Sequence, residues 1–195
     1  MARRRSAAGD QLPAECPPDL AGPAGDDAEP DPDSVARTIC LRLLTQRARS
    51  RAELADALRS RNVPDDAAER VLGRLAEVGL IDDRSFAINF VQAKHAERGL
   101  AARELARQLR TKGVGKDTID DTLAGLDEEV EWAAARRLAE RKLRSMSGLT
   151  SDVQIRRLAG MLARKGYSPY VAFQVVRQVI GEAAAEQLDN DSLLA

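Results

Sequence analysis

Histidine occurs once in these 195 residues, aromatic residues make up 3%, and cysteine is limited to Cys16 and Cys40. Each shortage closes off a class of chemistry. His95 has no second histidine to share a metal, and a Ser–His couple would rest on this one ring, so neither is expected. Placed on a helical stretch beside Lys94 and Glu97, His95 reads as a solvated side chain. With so few rings, the 44% hydrophobic content must pack as Leu, Val, Ile and Ala, and little is left for stacking on nucleic-acid bases. Cys16 lies in a Pro- and Asp-rich segment and Cys40 at a predicted helix start; without disulfide or zinc-ligand spacing they read as unpaired thiols. No apolar run approaches the roughly 20 residues that span a bilayer. The opening Met1-Ala2-Arg3-Arg4-Arg5 has no apolar stretch behind it, so no secretory signal is read and the cytoplasm is the expected compartment.

Proline is also scarce beyond residue 34. Pro13, Pro17, Pro18, Pro23, Pro30 and Pro32 are mixed with Gly, Ala and Asp in residues 1–34, which cannot bury enough apolar surface to offset chain entropy and read as a disordered, acidic leader. Charge is distributed just as unevenly. The leader carries three Arg against eight acids, a net of −5, and residues 181–195 carry four acids and no base, a net of −4. Residues 35–180 therefore hold 27 basic and 19 acidic residues, a net of +8. A basic body of this kind suits a nucleic-acid backbone or an acidic protein groove, and it also suits a well-solvated helical surface.

What the chain does have is one pattern written three times. Leu54, Leu58, Val63, Leu72 and Leu75 recur as Leu105, Leu109, Val114, Leu123 and Leu126, then as Leu158, Leu162, Tyr167, Val176 and Val179. Before the third position of each set stands Asn62, Gly113 or Gly166, residue types that tolerate the left-handed backbone found just past a helix end. In the first unit a helix is predicted from about Val35 to Arg47, with Ile39, Leu43 and Leu44 inward. Ser50-x-x-Glu53 has capping-box spacing for the next helix, and Ala68, Leu72 and Leu75 form a third that Gly79 stops. Asp82-Asp83 opens the second unit, with Phe86, Phe90 and Val91 facing inward, a break at Gly99, and Ile119, Leu123 and Leu126 closing the bundle. The third unit begins with a helix from about Glu128 to Arg144 around Trp132, Leu138 and Leu143, followed by a loop over 146–150. Ser151-x-x-Gln154 gives a second capping signature, and Ser168-Pro169 starts the last helix. No strand-like alternation is visible.

The fold class expected is therefore all-α, an elongated array of three tandem three-helix, helix-turn-helix-like repeats over 35–84, 85–127 and 128–181. The 1–34 leader and an acidic tail at 182–195 flank it. Such an array more naturally lies along something long than closes around a small substrate.

Reactive groupings are missing, so neither an enzyme nor a cofactor site is expected. Asp82 and Asp83 stand where aspartates accept amide hydrogen bonds at a helix start. Gly115-Lys116-Asp117-Thr118 fails as a phosphate loop, because Arg110 replaces the required glycine and Asp117 the hydroxyl. The binding candidates are basic: Arg47, Arg49 and Arg51 around the first loop, Arg98 and Arg103 around the second, and Arg61, Lys112 and Lys165 at one repeated position. A basic residue in the last helical turn is also what the helix dipole prefers, so for those three a stabilising role and a recurring contact along a polymer both stand.

Arg49-Ser50-x-x-Glu53-Leu54-x-x-x-Leu58, then Gly79-Leu80-Ile81-Asp82-Asp83-Arg84-Ser85-Phe86-Ala87, Lys112-Gly113-Val114 and Lys165-Gly166-Tyr167 resemble the RecX family of recombination regulators over about residues 37–180. The stretch from Gly79 to Ala87 is the most specific part. Ala101 departs from the pattern, since family members often carry proline after the Gly-x pair. The resemblance implies three tandem three-helix units in a non-enzymatic partner of the RecA recombinase; a monomer is expected. Such a partner lies in the groove of the RecA filament on single-stranded DNA and inhibits its ATPase and strand exchange, modulating homologous recombination and DNA repair. The alternative is a direct DNA-binding protein of helix-turn-helix type.

Overall fold

The structure, a computed structural model, describes residues 31–193, with side chains through Ala185. Residues 1–30, which hold Cys16 and most of the segment read as a leader, lie outside the described residues. Those described form nine helices and no strand: α1 Pro32–Gln46, α2 Arg51–Arg59, α3 Asp65–Glu77, α4 Asp83–Arg98, α5 Ala102–Thr111, α6 Lys116–Ala124, α7 Glu128–Arg144, α8 Ser151–Arg164 and α9 Pro169–Leu193.

Local chemistry sets most of these boundaries. Ser50 and Glu53 form the anticipated capping box at α2, where the hydroxyl accepts from the Glu53 amide and the carboxylate from the Ser50 amide. Asp82 accepts from the amides of Arg84 and Ser85 at α4, so its carboxylate is occupied in capping. Asn62, Gly79, Gly99, Gly113 and Gly166 all take positive φ just past a helix, as the sequence requires at the repeated caps. Three boundaries differ from expectation. Asp31 caps α1, so that helix begins at Pro32 rather than Val35. Thr150, not Ser151, is the cap residue of α8 and makes no side-chain capping bond, while Gln154 donates instead to the Met146 carbonyl. Helix α9 continues to Leu193, through the segment read as a tail.

The apolar stripes close into three cores, one per repeat. Leu54, Leu58, Val63, Leu72 and Leu75 join Ala36 and Cys40 in the first; Cys40 sits inside α1, fully buried and unpaired. Phe86, Val91, Leu105, Leu109, Val114 and Ile119 fill the second, with Leu123 and Leu126 packed against it. Leu138, Leu158, Leu162, Tyr167, Val176 and Val179 fill the third. A buried Leu or Val contributes about 1.5–3 kcal/mol, so each bundle is stabilised chiefly by these contacts. Ala101 belongs to the second repeat, yet it is wholly buried in the third core. The repeats are therefore fastened to one another and not only strung together.

Candidate functional site

The fastening is the same device used twice. In each case the turn after the middle helix of one repeat seats against the start of the middle helix of the repeat before it. At the first junction the Ser50 hydroxyl donates to the Lys112 carbonyl at 2.5 Å, and the Arg51 amide donates to Asp83 Oδ1 at 2.8 Å. A Cβ on Gly113 would stand 2.2 Å from the Ala52 Cβ. At the second junction the Ala101 amide donates to the Lys165 carbonyl at 2.9 Å, and the Ala102 amide to Glu131 Oε1 at 2.8 Å. A Cβ on Gly166 would lie 2.6 Å from the Glu104 backbone nitrogen. The Tyr167 hydroxyl also donates to the Gly99 carbonyl at 3.1 Å. Burial, with a contribution from Glu131, pushes that phenol up to about 12.

These junctions account for half of the sequence candidates. Lys112 reaches back across the first junction to Glu53 at 2.8 Å, and its Nζ lies 5.8 and 5.6 Å from the Phe86 and Phe90 ring centroids. Arg47 pairs with the same Glu53 at 3.1 Å. Burial disfavours the Glu53 carboxylate, but hydrogen bonds from Arg47, Lys112 and the Ser50 amide outweigh it and hold its pKa at about 2. Arg51 pairs with Glu69 at 2.6 Å. Lys165 Nζ donates to the Arg98 carbonyl, and burial, followed by the nearby Arg98 and Arg141, lowers its pKa. Arg49 is half-buried, with no partner for its Nε among the described residues. Of the eight sequence candidates, Arg61, Arg98 and Arg103 are the ones that are exposed without an ion pair among the described residues. Arg61 bonds its own helix through the Ala57 carbonyl at 2.7 Å.

The two junctions differ in charge. Lys112 and Arg47 converge on one carboxylate at the first, whereas at the second Glu104 is turned to Arg107 at 2.7 Å and Lys165 meets only a carbonyl. Unneutralised cations accumulate on that side of the molecule. Lys142, Arg156, Arg157 and Arg164 line an open cavity of about 400 Å³ with Gly160 and Met161, and no acid borders it. Arg103 and Arg110 line a second, of about 340 Å³, with the Gly166–Tyr167 turn and the Arg107–Glu104 pair. Both border the C-terminal half of α8.

Sequence reading missed Lys142, Arg107, Arg110 and the α8 arginines as a group. The local signal was present: residues 141–165 hold seven basic residues and one acid, Asp152. His95 also differs from its reading. It is half-buried, its Nδ1 lies 3.0 Å from the Leu100 carbonyl, and its Nε2 is buried without a partner. The ring therefore braces the α4–α5 turn. Among the described residues no group of three or more His, Cys, Asp or Glu side chains is placed to hold a metal ion, and no helix is long and apolar enough to cross a membrane.

Comparison with known proteins places these repeats. Residues 36–75, 82–123 and 129–176 match, in order, the first, second and third three-helix domains of RecX. The chain is 57% identical to regulatory protein RecX of Streptomyces lividans over 152 residues, covering 78% of this chain and 81% of that one. It is 46% identical to regulatory protein RecX of Mycobacterium avium (strain 104) over 177 residues, covering 90% and 97%. The crystal structure of RecX from Lactobacillus salivarius shares the fold, with a TM-score of 0.67 at 22% identity over 78% of this chain and 96% of that one.

Proposed function

The chain belongs to the RecX family, and from that premise we propose that it regulates homologous recombination by lying along the RecA filament on single-stranded DNA. Bound there, it inhibits the filament's ATPase and strand exchange and acts as a cytoplasmic monomer, without catalytic chemistry of its own. One observation carries this reading: equivalent units are held in fixed succession by the same fastening, and consecutive units present unpaired arginines. A helical filament offers its own surface at regular intervals, so several individually weak contacts add through effective concentration.

Arg61, Arg98 and Arg103 remain candidate contacts from the sequence, joined now by the arginines of α5 and α8. The test is RecA ATPase on single-stranded DNA titrated with this protein, followed by strand exchange. Loss of hydrolysis at protein amounts comparable to recombinase is the expected result. Unchanged hydrolysis and exchange would sink the proposal.

A further inference from the structure

We infer that Lys165, at the fastening between the second and third repeats, is a nucleophilic lysine that takes an acyl group from an acyl phosphate. Its half-buried seat, its carbonyl partner and the guanidiniums around it lead to that assignment.

The chain has lysines at 94, 112, 116, 142 and 165. Three are engaged by carboxylates: Lys94 by Glu97 at 3.5 Å, Lys112 by Glu53 at 2.8 Å and Lys116 by Asp120 at 2.5 Å. Lys142 stands in water. Lys165 alone is both half-buried and without an ion pair among the described residues. It is the cap residue at the end of α8, and its Nζ donates across the junction to the Arg98 carbonyl. That bond uses one hydrogen and leaves a neutral amine its lone pair. Two residues on, the Tyr167 hydroxyl donates to the Gly99 carbonyl, so the end of α4 is fixed where Lys165 meets it.

The charges around the amine are of its own sign. Arg98 of α4 and Arg141 of α7 lie near it, and neither is in an ion pair among the described residues. The acids at this junction are committed elsewhere. Glu104 is held by Arg107 at 2.7 Å and by Gln108, and Glu131 accepts from the Ala102 amide. A helix end favours a cation, but burial and the two guanidiniums outweigh it, and the Lys165 pKa lies below its ordinary value. Desolvation beside another cation is how a protein frees an amine to attack a carbonyl. Lys112, at the same repeated position, has Glu53 instead.

The guanidiniums also select the acyl donor. An acyl phosphate carries an anionic leaving group next to the carbon under attack, and Arg98 and Arg141 suit that anion as much as they oppose an ammonium. Arg103 and Arg110 line an open cavity that reaches Gly166, the residue after Lys165, and so extend the cationic approach. In the step itself the Nζ lone pair attacks the carbonyl carbon and the C–N bond forms. The C–O bond to the phosphate breaks, and the phosphate leaves with that electron pair and takes the proton that nitrogen loses. Nothing is oxidised or reduced. The amide keeps an N–H for the Arg98 carbonyl but carries no charge, so the fastening persists while the surface around it loses a cation.

The experiment incubates the full chain with acetyl phosphate and follows acetylation at each lysine by peptide mass spectrometry. At neutral pH Lys165 should react about threefold or more faster than Lys142, although Lys142 is the more exposed. Its rate should level off below the ordinary lysine value of 10.5 as pH rises. R98Q/R141Q removes both guanidiniums and keeps the residue 98 carbonyl. In that variant the Lys165 rate at neutral pH should fall about threefold or more and its pH profile should move upward, with Lys116 unchanged. Both arginines are exposed, so helicity by circular dichroism should match the parent.

A Lys165 rate no greater than that of Lys142 would overturn the inference, as would the same pH profile in parent and R98Q/R141Q. Succinimidyl acetate, which has no charge, tests the donor. The preference for Lys165 should be smaller with it, and an equal preference with both reagents would overturn the assignment of an acyl phosphate.

Discussion

Ser50 and Lys112 lie 62 residues apart, and the Ser50 hydroxyl joins them: it donates to the Lys112 carbonyl while accepting from the Glu53 amide at 3.1 Å. One side chain thus caps a helix within the first repeat and pins the second repeat to it. Ser50 is wholly buried, so both partners lose water as well as their hydrogen bond if the hydroxyl is removed. S50A should cost about 2–4 kcal/mol, the sum of a lost cap and a buried carbonyl left bare, measured by urea denaturation. A cost under 1 kcal/mol would mean that the junction relaxes around the gap.

The glycine at each fastening can be separated into two effects. Gly79 and Gly113 share nearly the same backbone, with φ of 72 and 73 degrees, but an added Cβ meets nothing within 4 Å at Gly79 and the Ala52 Cβ at 2.2 Å at Gly113. G79A should cost only the left-handed strain, about 1–2 kcal/mol. G113A should cost that and the displacement of one repeat from the next, lowering Tm clearly further, and G113V further still. Equal melting of G79A and G113A would remove the close approach from the account.

Glu53 gives the first junction a pH dependence. Its carboxyl is held at about 2 against an ordinary 4.5, so its contribution is present above about 4.5 and is lost as pH falls from there toward 2. The linked stability is at most about 3 kcal/mol. Asp33, Asp66, Asp82 and Glu104 are also lowered, so the parent will lose stability on acidification for several reasons. The informative quantity is the gap between parent and E53Q, measured by thermal melting from pH 7 to pH 2.5. That gap should shrink below pH 4.5.

Ala101 is the departure from the family pattern that the structure makes consequential. Its amide donates to Lys165, its side chain is buried in the third core, and its φ of −78 degrees is one proline could adopt. A101P should destabilise the second junction by about 1–2 kcal/mol in chemical denaturation, because proline has no amide hydrogen to offer the Lys165 carbonyl. A101S should be milder, since it retains that bond.

Periodicity made the helices legible, and distance hid their fastenings. Leu105, Leu109 and Gly113 announce a helix and its end from within ten residues, and the predicted 128–144 helix matches α7 at both ends. That Lys112 would meet Glu53, or Lys165 the Arg98 carbonyl, depends on how one bundle seats on another, which no local pattern encodes. The site was obscured for the same reason. Arg136 and Arg156 look alike in sequence, but one is held by Glu182, 46 residues away, and the other lines a cavity without an acid.

Arg61, Lys112 and Lys165 occupy one repeated position, and the structure parts them. Lys112 holds the first junction through Glu53 and two phenylalanine rings, whereas Arg61 is exposed and, among the described residues, bonds only within its own helical turn, to the Ala57 carbonyl and the Ser60 hydroxyl. K112Q should therefore lose about 1–3 kcal/mol of stability, while R61Q should stay within about 0.5 kcal/mol of the parent. Inhibition of RecA ATPase separates the roles further. If the repeated cation also contacts a filament, R61Q should weaken inhibition with no change in Tm, because this copy has no ion pair among the described residues. If R61Q inhibits as well as the parent, the position serves the fold alone, and filament contact rests with the unpaired arginines of α5 and α8.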